Sequence, residues 1–383
     1  MENREAWLVL NALPGIGPVR VAGLLSRFGE PRHILAASLG ELGGVPGIGA
    51  QLAGILHHWR DHFDLEAELA LARRGQVAVV TRDDPDYPPL LKTIYDPPLC
   101  LYVRGDPAAL AGPQSVAIVG SRHTTPYGQL MADHLAAEAV LGGWTVVSGL
   151  ARGIDTVAHA AAVRLQGRTV AVLGSGLARV YPQENLELAR QIVAAGGAMV
   201  SEFTLRAPPD KRGFPMRNRL ISGMTLGTVV VEAGTRSGSL ITAAQALDQG
   251  RPVFAVPGRV DSPQSRGCHG LLRDGAVLTE SFADVLVELR TLPGFREPAR
   301  IAPSPPAAGP VPGLPGKEKR AEDLTNGSLE TKILDFVRRS GDCVLDEVVA
   351  ALGSAAADVL PAVLDLELRR LVVRSPGGRL RAA

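Results

Sequence analysis

The chain has 383 residues, in which 40 lysines and arginines stand against 39 aspartates and glutamates, for a formal net charge of +1. Bulk charge therefore does not favour a polyanionic partner, and any nucleic acid must be bound by a local basic patch. A hydrophobic content of 46% allows a sizeable core in two or three domains. No apolar run reaches the length of a membrane span, and three isolated cysteines without a signal peptide predict a cytoplasmic protein that contacts no membrane.

The first 75 residues contain an internal repeat. The sequence LPGIG at 13–17 recurs as VPGIG at 45–49, and an apolar helical segment follows each copy. Such a turn between helices resembles the helix-hairpin-helix motif, whose backbone N–H groups bind DNA phosphates without reading sequence. A helical bundle that uses the turns for packing alone fits equally well, because only Arg20 and Arg27 supply nearby positive charge. We predict a helical domain over residues 1–75.

From residue 76 the pattern changes to short strands, rich in valine and isoleucine, that alternate with helices. Strands without polar alternation predict a parallel sheet covered by helices on both faces, and hence an α/β fold. The Pro-rich segment 83–91 is expected to be connecting chain. Strands are predicted at 77–80, 99–103, 116–119, 145–147, 169–173, 198–200, 228–231 and 252–256, with helices at 126–141, 156–165 and 239–247.

Small residues follow several of the predicted strands. In SVAIVGSRHTTPYG, at 115–128, a buried strand ends on Gly120, Ser121 and Arg122, and a helix begins soon after. Other predicted strands end on similar residues, at 148–149, 174–176 and 233–234. Because the carboxyl ends of parallel strands line a ligand crevice, we predict an anion site at this edge. Neither GxGxxG nor GxxxxGK[ST] occurs, so nucleotide hydrolysis is not indicated.

The segment 206–219, RAPPDKRGFPMRNR, is the strongest indication of ligand type. Its five cations outnumber the single acid Asp210, a net charge of +4, and Phe214 lies among them. Cations interleaved with an aromatic ring suit a single nucleic-acid strand, because charges hold phosphates and a ring stacks on an unpaired base. A solvated basic loop with Phe214 in the core is the alternative. We expect this segment to be a Gly/Pro-shaped loop.

Two further loops and several titratable residues are candidates for a chemical role. The loops 149–155, with Arg152, and 232–239, with Arg236, suit phosphate oxygens at a helix N-terminus. For His159 a packed or solvated helix position is favoured over catalysis. Glu202 and Glu232 are expected to orient neighbouring groups and not to act as an acid–base pair. No nucleophile–base pair stands out, and His57, His58 and His62 lack partners at ligand spacing, so we predict no enzyme, no metal and no cofactor.

Beyond the sheet domain the composition changes again. Residues 298–326 form a predicted Pro-rich linker, because they cannot build a core. Three amphipathic helices are predicted at 329–338, 345–352 and 358–371, followed by a hairpin with its turn at 376–378. Three helices and a β wing resemble a winged-helix domain, which binds DNA or protein.

Five ordered motifs together resemble one family. VAIVGSRHTTPYG, VVSGLARGIDTVAHAAA, LGSGL…YPQEN, FPMRNRLISG and VVEAGTRSGSLITA, spread over residues 83–280, look like the DNA-processing protein A family, DprA, also called Smf. The resemblance implies an extended Rossmann domain at 76–297, between a helix-hairpin-helix (SAM-like) domain at 1–75 and a winged-helix-like domain at 327–383. It implies a non-enzymatic homodimer that binds single-stranded DNA without sequence preference. Such proteins protect incoming or processed strands and help to load RecA in natural transformation and recombination.

The family's DNA pocket carries over to this chain residue by residue. The first loop implies Gly120, Ser121 and Arg122, the basic segment implies Lys211 and Phe214 at a kept K-x-x-F spacing, and the RNR run implies 217–219. Arg152 and the loop 233–238 are expected to lie next to this pocket. The predicted strand-binding residues are Gly120, Ser121, Arg122, Ser148, Gly149, Arg152, Lys211, Arg212, Phe214, Arg217, Asn218, Arg219, Ala233, Gly234, Arg236, Ser237 and Gly238.

Two other hypotheses belong to different classes of protein. A nucleotide phosphoribohydrolase of the cytokinin-activating type has a similar core, but it carries PGGxGTxxE where this chain has Gly234 and Thr235 followed by Arg236, Ser237 and Gly238. A purely structural RecA adaptor with a vestigial crevice would tolerate the loss of the crevice charges.

Overall fold

A computed structural model of the chain describes residues 1–292 apart from 111 and 113, residue 295, and residues 329–382 apart from 342, 354–358, 360, 361, 364, 365, 367–370 and 376–378. The chain forms two compact units, Met1–Pro305 and Pro306–Ala383. The predicted linker at 298–326 lies outside the described residues, and the predicted domain boundaries remain predictions.

The first unit opens with a bundle of short helices. Their apolar faces bury a core that includes Trp7, Leu24, Ile34 and Leu56. The helices are α1 (Asn3–Ala12), α2 (Pro18–Phe28), α3 (Pro31–Ala36), α4 (Leu39–Gly43), α5 (Ala50–His57) and α6 (Leu65–Arg74).

The two copies of the sequence repeat form turns of the same geometry. Gly15 and Gly47 have φ of 75° and 81°, a region that glycine enters without steric cost. In each turn the isoleucine donates its N–H to the carbonyl of the residue that begins the repeat. Ile16 donates to Leu13 O at 3.2 Å, and Ile48 donates to Val45 O at 3.0 Å. The repeat is therefore a tandem of helix-hairpin-helix turns, and DNA contact by these turns remains a prediction.

A nine-stranded sheet follows the helical bundle. Its order is β1-β2-β6-β5-β4-β3-β7-β8-β9, and every pair from β6 to β9 is parallel. The strands are β1 (Val77–Thr81), β2 (Cys100–Gly105), β3 (Ser115–Val119), β4 (Thr145–Ser148), β5 (Thr169–Val172), β6 (Ala198–Ser201), β7 (Thr228–Val230), β8 (Val253–Ala255) and β9 (Val277–Leu278).

The predicted parallel core is confirmed, and the pairs that β2 makes with β1 and β6 depart from it. Strand β2 pairs antiparallel with both β1 and β6. The physical reason is the connection: a parallel neighbour needs a long crossover, usually a helix, and residues 82–99 between β1 and β2 contain no α-helix. Strand β9 was not predicted, because a two-residue strand carries too little pattern.

Helices cover both faces of the sheet, as predicted. Along β3, Val116 and Ile118 pack into the core beneath α7 and α8, whereas Ala117 and Val119 pack into the core beneath α10 and α11. The helices are α7 (Pro126–Leu141), α8 (Ile154–Arg164), α9 (Leu186–Ala194), α10 (Gly213–Gly223), α11 (Gly238–Asp248), α12 (Arg266–Arg273) and α13 (Phe282–Leu289). Because β3, β4, β5 and β7 are parallel, their carboxyl ends meet at one edge.

The second unit is small and combines helices with a three-stranded antiparallel sheet of order β10-β12-β11. Ile333, Val337, Val348 and Leu380 belong to its core. The predicted helix at 358–371 and the turn at 376–378 fall largely outside the described residues. The elements are α14 (Leu329–Ser340), β10 (Cys343–Val344), α15 (Leu345–Leu352), β11 (Val372–Ser375) and β12 (Arg379–Ala382). In the part of the chain that the structure describes, no helix is both long and apolar enough to cross a membrane.

Candidate functional site

A crevice of about 780 Å³ lies at the carboxyl edge of the parallel strands. The loops after β3 and β7, helix α10 and the segment that leads into α12 line it. This is the edge at which the sequence predicted an anion site. Of the predicted residues, the crevice is lined by Gly120, Ser121, Arg122, Lys211, Phe214, Arg217, Asn218, Gly234, Arg236, Ser237 and Gly238.

The loop after β3 is held by neighbouring backbone. Ser121 donates its N–H to Glu232 O at 2.7 Å and accepts the N–H of Ile154 at 3.2 Å. A side chain at Gly120 has no room, because a Cβ there would lie 2.6 Å from Ile154 Cγ1. The loop therefore brings its backbone close to the crevice and presents Arg122, whose side chain is exposed.

The segment predicted as a basic loop is in fact the start of helix α10. Phe214, Arg217, Asn218 and Ile221 follow the spacing of one helix face, and all four line the crevice together with Lys211, just before the helix. The prediction failed at Pro215, which is typical of loops. In the first turn of a helix, however, the N–H that proline lacks has no acceptor in any case.

Arg217 forms the floor of the crevice. Its Nη1 donates to Val172 O, and its guanidinium packs under Gly149, where a Cβ would lie 2.2 Å from Nη1. Burial lowers the pKa of Arg217 to about 10, although Asp155 nearby opposes this shift. The guanidinium therefore stays charged at neutral pH, and its buried Nε has no hydrogen-bond partner within the described residues.

An aromatic wall borders the crevice. The ring centroids of Tyr181 and Phe214 are 5.6 Å apart with the planes inclined by 48°. A base stacked between two rings needs about 3.4 Å on each of its faces. The distance between these two centroids is smaller than twice that spacing, so no base fits between the rings. The two rings therefore form one continuous surface, beside a smaller depression lined by the predicted residues Gly149 and Arg152. Tyr181 was missed as a site residue, although it begins the YPQEN motif at 181–185 in a chain with 4% aromatics.

The loop after β7 presents the N-terminus of α11 to the crevice. Ser237 is the N-cap, and its Oγ accepts the N–H of Ser239 at 3.4 Å. Asn218 Nδ2 donates to Gly238 O at 3.4 Å, which ties α10 to this loop. The positive end of the α11 helix dipole and the exposed guanidinium of Arg236 make this a favourable place for an anion.

Six predicted residues lie outside the crevice lining: Gly149 and Arg152, which line the smaller depression, and Ser148, Arg212, Arg219 and Ala233. Ser148 is buried, and its Oγ donates to Ile118 O at 2.6 Å. Ala233 is buried and bonded through its backbone to the segment before α12, and the exposed Arg212 lies just before α10. Arg219 pairs with Glu202 and, at 3.1 Å between Nε and Oδ2, with Asp96. Arg217 and Arg219 are two positions apart on a helix, roughly 200° around the axis, so only Arg217 faces the crevice.

The titratable candidates for catalysis make hydrogen bonds that hold the fold together. Glu232 accepts hydrogen bonds from Thr124 Oγ1 at 2.8 Å and from Thr125 N at 2.9 Å, at the start of α7. His159 is buried, and its Nδ1 lies 2.7 Å from Thr169 Oγ1. Within the described residues, no group of three or more His, Cys, Asp or Glu side chains is arranged to hold a metal ion.

Comparison with known proteins gives consistent matches along the chain. Residues 78–290 match the family described as DNA recombination-mediator protein A. Residues 8–55 match a SAM-like helix-hairpin-helix tandem, and residues 317–378 match the DprA winged helix domain.

Individual relatives agree with these matches. The chain is 35% identical to protein Smf of Synechocystis over 99% of both chains, and 34% identical to protein Smf of Escherichia coli over 100% of this chain and 96% of the relative. Among solved structures, DNA processing protein A from Streptococcus pneumoniae aligns with a TM-score of 0.64 at 34% identity, over 75% of this chain and 98% of that one.

Proposed function

This chain belongs to the DNA recombination-mediator protein A family, and on that basis we propose that its crevice binds single-stranded DNA without regard to sequence. One observation carries the proposal: a half-buried aromatic ring, Phe214, lies among cations in a crevice that is open to solvent. No ion pair within the described residues engages Arg122, Lys211 or Arg236, so their charges are available to phosphates.

The geometry favours a single strand over a duplex. Stacking on a protein ring requires a base whose face is free, and in a duplex both faces of a base are covered by its neighbours. The ring of Phe214, in the first turn of α10, lines the crevice and faces the loop after β3 through Arg122. A strand with separated bases reaches this ring while its phosphates contact the cations at the rim. We assign the other crevice-lining residues of the sequence prediction to the same strand.

We extend the proposal to the roles that the family resemblance implies. The protein protects incoming or processed single strands, helps to load RecA in transformation and recombination, and acts as a homodimer. The family description, a recombination mediator, supports the process. Cys100 and Cys268 are buried and form no disulfide within the described residues, which suits the reducing cytoplasm.

We propose further that the protein acts by binding and not by catalysis. The phosphoribohydrolase motif GTxxE lacks its catalytic Glu here, because Gly238 stands at that position. The acid that precedes the loop, Glu232, is hydrogen-bonded to Thr124 and Thr125. Incubation with nucleoside monophosphates, followed by chromatography, should release no free base. Release of base by the wild type would contradict the proposal.

The experiment that tests strand binding is fluorescence anisotropy of labelled oligo-dT across a salt series, with wild type beside Arg122→Ala and Lys211→Ala. Each variant should bind more weakly, and its salt slope should be shallower by about 0.7 for each lost phosphate contact. Arg190→Ala is the matched control, because Arg190 is an exposed arginine of α9 that pairs with Glu187. Unchanged affinity and slope in both crevice variants would overturn the assignment.

A further inference from the structure

One crevice cation comes from a segment that no motif identified. Arg266 is the first residue of α12, its side chain is exposed, and it lines the same crevice as Phe214. Within the described residues it forms no ion pair. Its guanidinium is therefore an available positive charge in the crevice that the sequence analysis did not anticipate.

Backbone contacts fix the position of Arg266. Ala233 donates its N–H to Gln264 O at 2.8 Å, and Gly267 donates its N–H to Ala233 O at 2.7 Å. The approach is so close that a Cβ on Gly267 would lie 2.6 Å from Ala233 O. The segment that carries Arg266 is thus fastened to the loop that carries Arg236, and the two arginines belong to one wall.

The charge in the crevice exceeds what one phosphate requires. Arg122 belongs to the β3 loop, and Lys211 and Arg217 lie just before and within α10. Arg236 and Arg266 belong to the β7 loop and to α12. Against these five cations the lining contains one carboxylate, that of Asp155, which accepts the N–H of Gly149 at 3.1 Å. One phosphodiester carries a single negative charge, so the excess indicates at least two.

The volume agrees with this count. A crevice of about 780 Å³ lies in the upper part of the range of about 300–1,000 Å³ in which proteins enclose drug-sized molecules. A nucleotide stacked on Phe214 would occupy one end. The N-terminus of α11, with Ser237 as its cap, then lies beside Arg236 and adds the positive end of its helix dipole.

We propose that Arg236 and Arg266 bind a second phosphodiester of the same DNA strand, so that the strand crosses the crevice from the Phe214 ring to the start of α12. The inference rests on the proposed strand binding and names the far end of the strand's path. It also makes Arg266 a binding residue on a segment that the predicted site did not include.

The test compares Arg266→Ala with Arg273→Ala, an exposed arginine at the other end of the same helix and outside the crevice lining. Long labelled oligo-dT is titrated across a salt series, and unlabelled thymidine dinucleotide, which has one phosphodiester, is used as a competitor. On the long strand Arg266→Ala should lower affinity and reduce the salt slope by about 0.7. The dinucleotide should compete equally well in both variants, and Arg266→Lys should retain the slope.

The outcomes separate this inference from the proposed function. If Arg122→Ala weakens strand binding while Arg266→Ala matches Arg273→Ala at every strand length, the second phosphate site is wrong and strand binding stands. If thymidine monophosphate binding depends on Arg266 and long-strand binding does not, the site belongs to a separate nucleotide and the inference is overturned. If the wild type binds no single strand, both fail. Thermal unfolding of each variant confirms that the fold is intact.

Discussion

The guanidinium carbon of Arg122 lies 5.3 Å from the ring centroid of Phe214. The two residues are far apart in sequence and meet because the loop after β3 and the start of α10 share the carboxyl edge of the sheet. A cation–π contact at an exposed position contributes about 0.5–1 kcal/mol. A phosphate offers Arg122 a charge-assisted hydrogen bond of about 1.5–3 kcal/mol, so the arginine is free to turn from the ring to the strand.

The first prediction concerns the ring. Phe214→Leu keeps an apolar side chain but removes the stacking face, so oligo-dT affinity should fall by about 5- to 150-fold, equivalent to about 1–3 kcal/mol. The salt slope should not change, because no charge is lost. Anisotropy across a salt series measures both quantities. Tyr95→Leu is the control, since Tyr95 is 86% exposed and lies outside the crevice lining. Wild-type affinity in Phe214→Leu would remove the ring from the site.

The second prediction assigns Arg219 to stability. Burial raises the pKa of Glu202, and the Arg219 guanidinium opposes that shift. Arg219→Met leaves Glu202 buried without its partner, which should cost roughly 3–5 kcal/mol in the free energy of unfolding measured with urea. The double variant Arg219→Met/Glu202→Leu should recover much of this loss. A stable Arg219→Met protein that no longer binds oligo-dT would instead return Arg219 to the strand site.

The third prediction concerns acid stability through His159. The Thr169 hydroxyl donates to Val146 O at 2.7 Å, so the imidazole Nδ1 must donate to Thr169. Burial, with a smaller contribution from the charge of Arg217, lowers the pKa of His159 to about 3. Between pH 6.5 and 3 the unfolded chain binds a proton that the folded chain does not, so stability is lost as the pH falls through this window.

From pH 7 to pH 5 this single group should remove roughly 2 kcal/mol of the free energy of unfolding. His159→Gln cannot take up the proton, so its loss over the same interval should be smaller by that amount. Urea unfolding of both proteins at the two pH values gives the comparison. The same pH dependence in variant and wild type would show that His159 does not contribute.

The fourth prediction separates the two compact units. Every residue that lines the crevice lies between Val119 and Arg266, within the unit Met1–Pro305. A chain that ends at residue 297 should therefore bind oligo-dT with the affinity of the full chain, and light scattering should show the proposed dimer. A large loss of affinity would place part of the strand site in the second unit, and a monomer would place the dimer contact there.

The sequence predicted those features that local pattern determines. Buried runs such as 116–119 and 169–173 correspond closely to β3 and β5, and the crevice loop at Gly120 follows from the convergence of parallel strand ends. Helix α10 was missed because Pro215 and Gly213 are typical of loops, and only the i, i+3, i+4, i+7 spacing from Phe214 to Ile221 indicated a helix.

Other parts of the site had no local signal. Arg266 reaches the crevice because Gln264 and Gly267 bond to Ala233, a contact between distant segments that no motif encodes. Arg217 and Arg219 are the same residue type and stand two positions apart in the sequence. Their separation into a crevice floor and a buried ion pair follows only once the helix is known.

The most direct test of the central claim is photochemical crosslinking to an oligo-dT that carries iododeoxyuridine, with the attached peptide identified by mass spectrometry. Because a base stacked on the crevice wall lies against an aromatic ring, the account predicts a crosslink at Phe214 or Tyr181, reduced in Phe214→Leu and in Arg122→Ala. Crosslinks confined to residues 1–75 or 329–382 would contradict it, and would place the strand on the terminal domains.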